Sequence, residues 1–342
     1  MKYLYLKLGK SNSQLNYWLK KEENLFKKSS AAIYFGKITT EKCKSLFELT
    51  KKQIESLRIT DGEVPTNIDL HNQIKKFIKA GENKDVKFIS IHDNKVCIYE
   101  PDTEVFDMPV ELYGRFYKSL EDYGIKKADI EDIKNSTPKI MHVKIVKIVD
   151  KDIPYILRTL NVNQYFNRGT CREIKEKDYW GIIQAIKKIL NQKRDYSKKL
   201  ESYQMFKLLS PHQFETLIFL ILINAGLFSP AWRAGSLPDI DIIGINYSDS
   251  EVKIGNNPTI NFKKDKEIKF QVKRKSIKEA QNADYTIALS SSVENDNSNR
   301  ILTSDWLLDV IRNQTETKKW LENSLRWIIE DTNKNSIFEL FD

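Results

Sequence analysis

Apolar and polar positions alternate at the start of the chain. Leu4, Leu6 and Leu8 fall on one side of Met1–Leu8 and Tyr3, Tyr5 and Lys7 on the other, which predicts a strand ended by Gly9. Ala31–Phe35 reads as a second strand closed by Gly36. Glu41–Leu57 has helical spacing, and Asp69–Ala80 carries Leu70, Ile74, Phe77 and Ile78 on one helical face before Gly81 stops it. Val86–His92 and Lys95–Tyr99 read as strands joined by the turn pair Asp93-Asn94, and Met141–Val149 as a further strand. Strands bracketing two helices predict a compact, partly open barrel.

The pattern changes near Asp178, where a charged helix carries Trp180, Ile182, Ile183, Ile186 and Ile189 on its apolar side. Gln192–Lys199 is the most linker-like segment. Ser210 then offers an N-cap, Pro211 suits the first helical position, and Gln213 completes a capping box. The helix that follows is apolar almost all round through Ile223, so it is expected to be buried. Ile240–Ile245, Ile268–Arg274 and Tyr285–Ser290 read as strands, with helices from Ser276 and over Ser304–Arg312. This alternation predicts an α/β layer arrangement. The domains expected are residues 1–175, a helical linker at 176–203, and 204–342.

Composition narrows the function. The 342 residues suit two domains, with 40% hydrophobic residues to build cores. Lys and Arg number 56 against 47 acids, a net charge of +9 that favours polyanionic partners. Cys43, Cys97 and Cys171 are scattered and odd in number, which argues against a disulfide framework or a cysteine zinc site and for a reducing, cytoplasmic compartment. The four histidines lack metal-ligand spacing. The N-terminus has lysines inside its apolar stretch, so no signal peptide is expected. The longest apolar run, Leu217–Ile223, is far short of the roughly 20 residues of a membrane helix, so no membrane partner is expected.

Strand periodicity assembles the candidate chemistry. Asp239 and Asp241 share one face of their strand, and Lys269, Gln271 and Lys273 share one face of theirs, with Phe270 and Val272 turned to the core. Side by side, the two polar faces would bring together carboxylates, an amide oxygen and an ammonium. Carboxylate and carbonyl oxygens are hard ligands for Mg²⁺, which polarises a phosphoryl oxygen and lowers the pKa of bound water. The ammonium offsets charge growing on the phosphorane. Eight Lys or Arg against two acids between Lys253 and Lys275 add phosphate-binding capacity.

Phe214-Glu215, Gly226, Gly235, Asp239-Ile240-Asp241 and Gln271-Val272-Lys273 resemble the PD-(D/E)XK nuclease superfamily, nearest its Mrr-like restriction endonuclease branch, over roughly residues 205–312. The resemblance implies a mixed central sheet and a Mg²⁺-dependent endodeoxyribonuclease of the phage-defence type. Asp241 would be the metal-binding aspartate, Gln271 the second ligand, Lys273 the catalytic lysine and Glu215 a supporting acid. Where the branch has G-D-G-G-I-D, this chain reads Ser236-Leu237-Pro238-Asp239-Ile240-Asp241, which leaves open whether Asp239 or Asp241 holds the ion. Lys269, Arg274 and Lys275 are the expected DNA contacts. Double-strand cleavage would need a homodimer.

Tyr3 through Gly9, Ile33-Tyr34-Phe35-Gly36, Asn94 through Tyr99 and Asn167-Arg168-Gly169-Thr170 resemble PUA-like barrels of the EVE type. That resemblance implies recognition of double-stranded DNA through a flipped, modified base, with Trp18, Tyr34 and Tyr99 as candidate walls of its pocket. Two other readings stay open: a non-cleaving reader with a degenerate nuclease fold, since Gln271 is a weaker ligand than a carboxylate, and a nuclease acting on RNA or single strands.

Overall fold

The computed structural model describes residues 1–60, 68–83, 85–162, 164–167, 169–192, 201–230, 240–273, 282–289, 300–329 and 336–340. The chain divides into two compact units, Met1–Ile153 with Leu157–Asp178, and Pro154–Ile156 with Tyr179–Asp342. It is a mixed α and β protein.

The first unit is built on a curled, half-barrel sheet of seven strands: β1 (Lys2–Leu6), β2 (Ser30–Tyr34), β3 (Val86–His92), β4 (Lys95–Pro101), β5 (Phe106–Asp107), β6 (Pro138–Val149) and β7 (Cys171–Glu173). The order is β2-β6-β4-β3-β1-β7, with β5 added on β6, and β1 pairs β3 in parallel while the other pairings are antiparallel. A register shift between Ile98 and Tyr99 interrupts the long β4–β6 ladder, the kind of irregularity that bends a sheet. The Ile68–Gly81 helix buries Ile74, Phe77 and Ile78, as its spacing predicts. The single helix expected over Glu41–Leu57 is two, Thr40–Ser45 and Lys51–Thr60. Thr50 and Gln53 divide them, because the Thr50 N–H donates to Gln53 Oε1 at 2.8 Å and the Gln53 N–H to Thr50 Oγ1 at 3.4 Å, a capping box that starts the second helix afresh.

The interior of this unit holds a fully buried lysine. Lys139 sits 3.6 Å from Asp107, and its ammonium donates to the carbonyls of Ile38 and Thr137. Asp107 in turn accepts from the Thr40 N–H and hydroxyl, each at 2.7 Å. Strand β6 is thereby tied to β5 and to the start of the Thr40–Ser45 helix. Burial pulls the lysine pKa down, since the charged form loses its hydration.

The second unit has a four-stranded mixed sheet of β8 (Ile242–Ile245), β11 (Glu267–Lys273), β12 (Tyr285–Ala288) and β13 (Ile301–Leu302), in the order β13-β12-β11-β8. A separate hairpin of β9 (Val252–Ile254) and β10 (Ile260–Phe262), which strand periodicity did not predict, lies between β8 and β11 in sequence. β11 is antiparallel to β8 and parallel to β12, and β12 is parallel to β13. The Pro211–Asn224 helix starts on the predicted capping box, with the Gln213 N–H donating to Ser210 Oγ at 3.1 Å. It buries Phe214, Leu217, Ile218, Ile221 and Leu222, each contributing about 2 kcal/mol of transfer free energy. The expectation of complete burial is corrected at Ile223, which is exposed. The Glu176–Ile189 helix is broken at Tyr179, and beyond that point Trp180 packs against the core of this unit. The helix expected from Ser276 lies outside the described residues.

Removing one partner of a buried ion pair leaves the other charge uncompensated. Asp107→Ala should therefore destabilise the protein by about 3 kcal/mol in urea denaturation, and the double variant Asp107→Asn with Lys139→Met should recover a large part of that loss. Equal stability of Asp107→Ala and the parent would show that the pair carries no structural role.

Candidate active site

The site starts from the β8–β11 register. Lys269 lies opposite Ile243 and Phe270 opposite Ile242, where the ladder ends, so Asp241 enters just past the end of that register, bonded to Phe270 and Val272. Gln271 and Lys273 share one face of β11 as residues i and i+2, about 7 Å apart along the strand. Phe270, Val272 and Ile287 occupy the other face and belong to the hydrophobic core or pack against it.

Asp241 precedes β8 rather than lying within it, which corrects the predicted start of that strand at Ile240. Its own N–H donates to the Phe270 carbonyl at 2.9 Å, and its Oδ2 accepts from the Val272 N–H at 2.7 Å. The carboxylate thus takes a ladder position that a backbone carbonyl would otherwise fill, and it is fixed against β11 between Gln271 and Lys273. Oδ1 has no hydrogen bond among the described residues, and the Lys273 ammonium has no ion-pair partner among them.

The third strand completes the polar face. Thr286 of β12 lies opposite Gln271, and both side chains are buried, at 3% and 2% exposed. Thr286 was not among the residues singled out, although the alternation of Tyr285–Ser290 carried the signal. Asp284 holds the edge of β11 in place: its Oδ2 accepts from the Lys269 N–H and its own N–H donates to the Lys269 carbonyl, both at 2.8 Å.

The remaining candidates are placed differently. Glu215 lies in the first turns of the Pro211–Asn224 helix, 3.6 Å from His212 Nδ1, and no hydrogen bond or ion pair joins it to Asp241, Gln271 or Lys273 among the described residues. Lys269 is half-buried on the face it shares with Gln271. Asp239, Arg274 and Lys275 lie outside the described residues. Among the described residues, no group of three or more His, Cys, Asp and Glu side chains is placed to hold a metal ion. The donor set at hand is one carboxylate and one side-chain amide. Both are hard oxygen donors, which fits a Mg²⁺ ion that keeps most of its waters.

Two of the three aromatic candidates of the first unit are core residues, and Tyr34 is half-buried against that core. Trp18 and Tyr99 are completely buried, so neither walls a cleft, and the expectation that they do is corrected. The Trp18 Nε1–H donates to the Tyr34 hydroxyl at 2.9 Å and to Gln14 Oε1 at 3.2 Å, while Tyr34 donates to the same Oε1 at 2.6 Å. Tyr99 stacks on Phe88 at 5.6 Å and shares a 2.7 Å hydrogen bond with Ser90. Rings with polar tips are buried where a partner meets the tip, and that requirement placed Trp18 and Tyr99. Cys43, Cys97 and Cys171 are free and buried. Burial pushes their thiols up to about 11, 11 and 12, so none supplies a thiolate nucleophile at neutral pH.

No helix among the described residues is long and apolar enough to cross a membrane. No family model, curated protein or solved structure matches the chain.

The Asp241–Val272 hydrogen bond is separable from the aspartate's charge. Asp241→Asn keeps an oxygen acceptor and should leave the exchange protection of the Val272 amide within about threefold of the parent. Asp241→Ala should speed exchange of that amide by about 10- to 100-fold, the equivalent of one charge-assisted hydrogen bond. Amide exchange followed by NMR checks this, and equal protection in Asp241→Ala would remove the bond from the account.

Proposed function

We propose that the protein is a Mg²⁺-dependent endonuclease of the restriction type, acting on double-stranded DNA through its second unit. The observation that carries this reading is the fixing of the Asp241 carboxylate on the N–H of Val272, the residue between Gln271 and Lys273, whose side chains share the face of β11 opposite Phe270 and Val272. Asp241 and Gln271 would hold the ion, which supplies Lewis-acid polarisation of the scissile phosphate and a more acidic bound water. Asp241 is suited to that task because the Val272 N–H holds one oxygen in a set direction and leaves the other for a ligand. Lys273 would place its ammonium beside the reacting phosphate and stabilise the charge that grows on its oxygens. Gln271 contributes an oxygen without adding negative charge, so the site repels a phosphodiester less than a two-carboxylate site would.

Support from the rest of the chain is electrostatic. The net charge of +9 and the lysine-rich stretch around β10 and β11 favour association with a polyanion. A second reading, a nucleic-acid reader that does not cut, is favoured by the uncharged Gln271, a weaker ligand than a carboxylate.

Incubation with supercoiled plasmid, methylated or unmethylated, distinguishes the two. The nuclease reading expects nicked or linear product with Mg²⁺ and none with a chelator. Asp241→Asn and Lys273→Ala should each lower the rate by about 100-fold or more while leaving binding to the plasmid intact. Plasmid binding without product from the parent protein, on both substrates, would select the reader.

A further inference from the structure

We propose that a lysine-lined groove in the first unit, between the Ile68–Gly81 helix and β1, holds the phosphodiester backbone of double-stranded DNA. The identity of the polyanion rests on the nuclease reading, whereas the anion-binding chemistry rests on the groove itself. The groove has a volume of about 810 Å³. Lys75, Lys76 and Lys79 line it from the helix, and Lys2 lines it from the strand.

Three carboxylates also line this groove, and two of them are already engaged. Asp69 gives both oxygens to the Arg172 guanidinium, with Oδ2 at 2.6 Å, and Glu82 accepts from Lys44 at 2.7 Å. Glu173 has no ion pair among the described residues. The field in the groove is therefore set by four ammonium groups against one uncompensated acid. Lys75 and Lys79 stand one helical turn apart, and both ammonium groups lie over the ring of Phe47, at 5.4 Å and 5.7 Å from its centre. Like charges at that spacing repel and cost helix stability. An anion bridging them would offset that cost.

The lining also selects the part of a nucleic acid that would be held. Its apolar members are Leu4, Ala80 and Val86, and no aromatic ring is among its described lining residues. A base or a free nucleoside would find nothing to stack on, and stacking is the main source of base affinity in such sites. Phosphate oxygens need only ammonium groups and neutral donors such as Asn72, which is what the groove offers. Such contacts position a duplex without reading its sequence.

The test is binding of a short labelled DNA duplex, followed by fluorescence anisotropy with a chelator present so that cleavage is silent. The triple variant Lys75→Gln, Lys76→Gln, Lys79→Gln should bind about tenfold more weakly or worse at 0.1 M salt, and its slope of log affinity against log salt should shrink by about 2 to 3. Lys76→Gln alone, whose ammonium makes no hydrogen bond or close ion pair among the described residues, should weaken binding in the same direction. Glu173→Gln should tighten binding. A control that removes equal charge from exposed positions elsewhere in the unit, Lys144→Gln, Lys147→Gln, Lys151→Gln, should stay within about twofold of the parent. Parent-like affinity and slope in the groove variant overturn the proposal, as does an equal loss in the control or a loss seen with single-stranded RNA but not with the duplex. Failure of the parent to cut plasmid, with the groove effect intact, removes the nuclease reading alone. Cleavage by the parent with no groove effect removes this proposal alone.

Discussion

Val272 donates its amide hydrogen to a side-chain carboxylate where the sheet would ordinarily supply a main-chain carbonyl. That substitution joins the end of β8 to the middle of β11 and fixes the position of Asp241. An aspartate on a loose connection would sample many rotamers, and its charge would be spread through solvent. Held by a 2.7 Å bond to a strand whose other face is packed on Phe262, Tyr285 and the Pro211–Asn224 helix, it is as rigid as the sheet itself. The chemistry of the second unit depends on that rigidity, because a metal ion with few protein ligands gains affinity only where those ligands are already in place.

The first unit solves a different problem, the burial of polar groups inside a curled sheet. Asn12 bonds the Tyr5 hydroxyl, the Ile91 carbonyl and the Leu8 N–H, and Ser90 links the Leu6 carbonyl to Tyr99. Each of these groups would cost one to several kcal/mol if left unpaired, so the network pins the register of β1 against β3. Burial raises the Tyr5 hydroxyl to about 12, which keeps it a neutral donor across the physiological range.

Much of this architecture was legible in the order of residues. Alternation marked β1, β3, β4 and β11, and Ser210-Pro211 with Gln213 marked a helix start that the structure reproduces bond for bond. The expectation that the strands of Asp241 and Gln271 are neighbours followed from two periodicities, and β8 and β11 do pair. What was missed was one local capping signal and several polar partners. The Thr50–Gln53 box splits a helix that hydrophobic spacing alone would continue. Trp18 and Tyr99 looked exposed because they neighbour turns, yet Gln14 and Ser90 satisfy their polar tips and draw both rings into the core. Lys139 lies before the predicted strand Met141–Val149, and only the approach of Asp107 accounts for its burial.

The central claim is that Asp241 and Gln271 form a cation-binding pair on the polar face of the mixed sheet. Titration of the isotope-labelled protein with Mn²⁺ as a paramagnetic stand-in for Mg²⁺ tests it most directly. The amide resonances of Gln271, Val272 and Lys273 should broaden first in the parent and remain sharp at the same Mn²⁺ concentration in Asp241→Asn. Broadening centred on other residues, or the same broadening in both proteins, would contradict it.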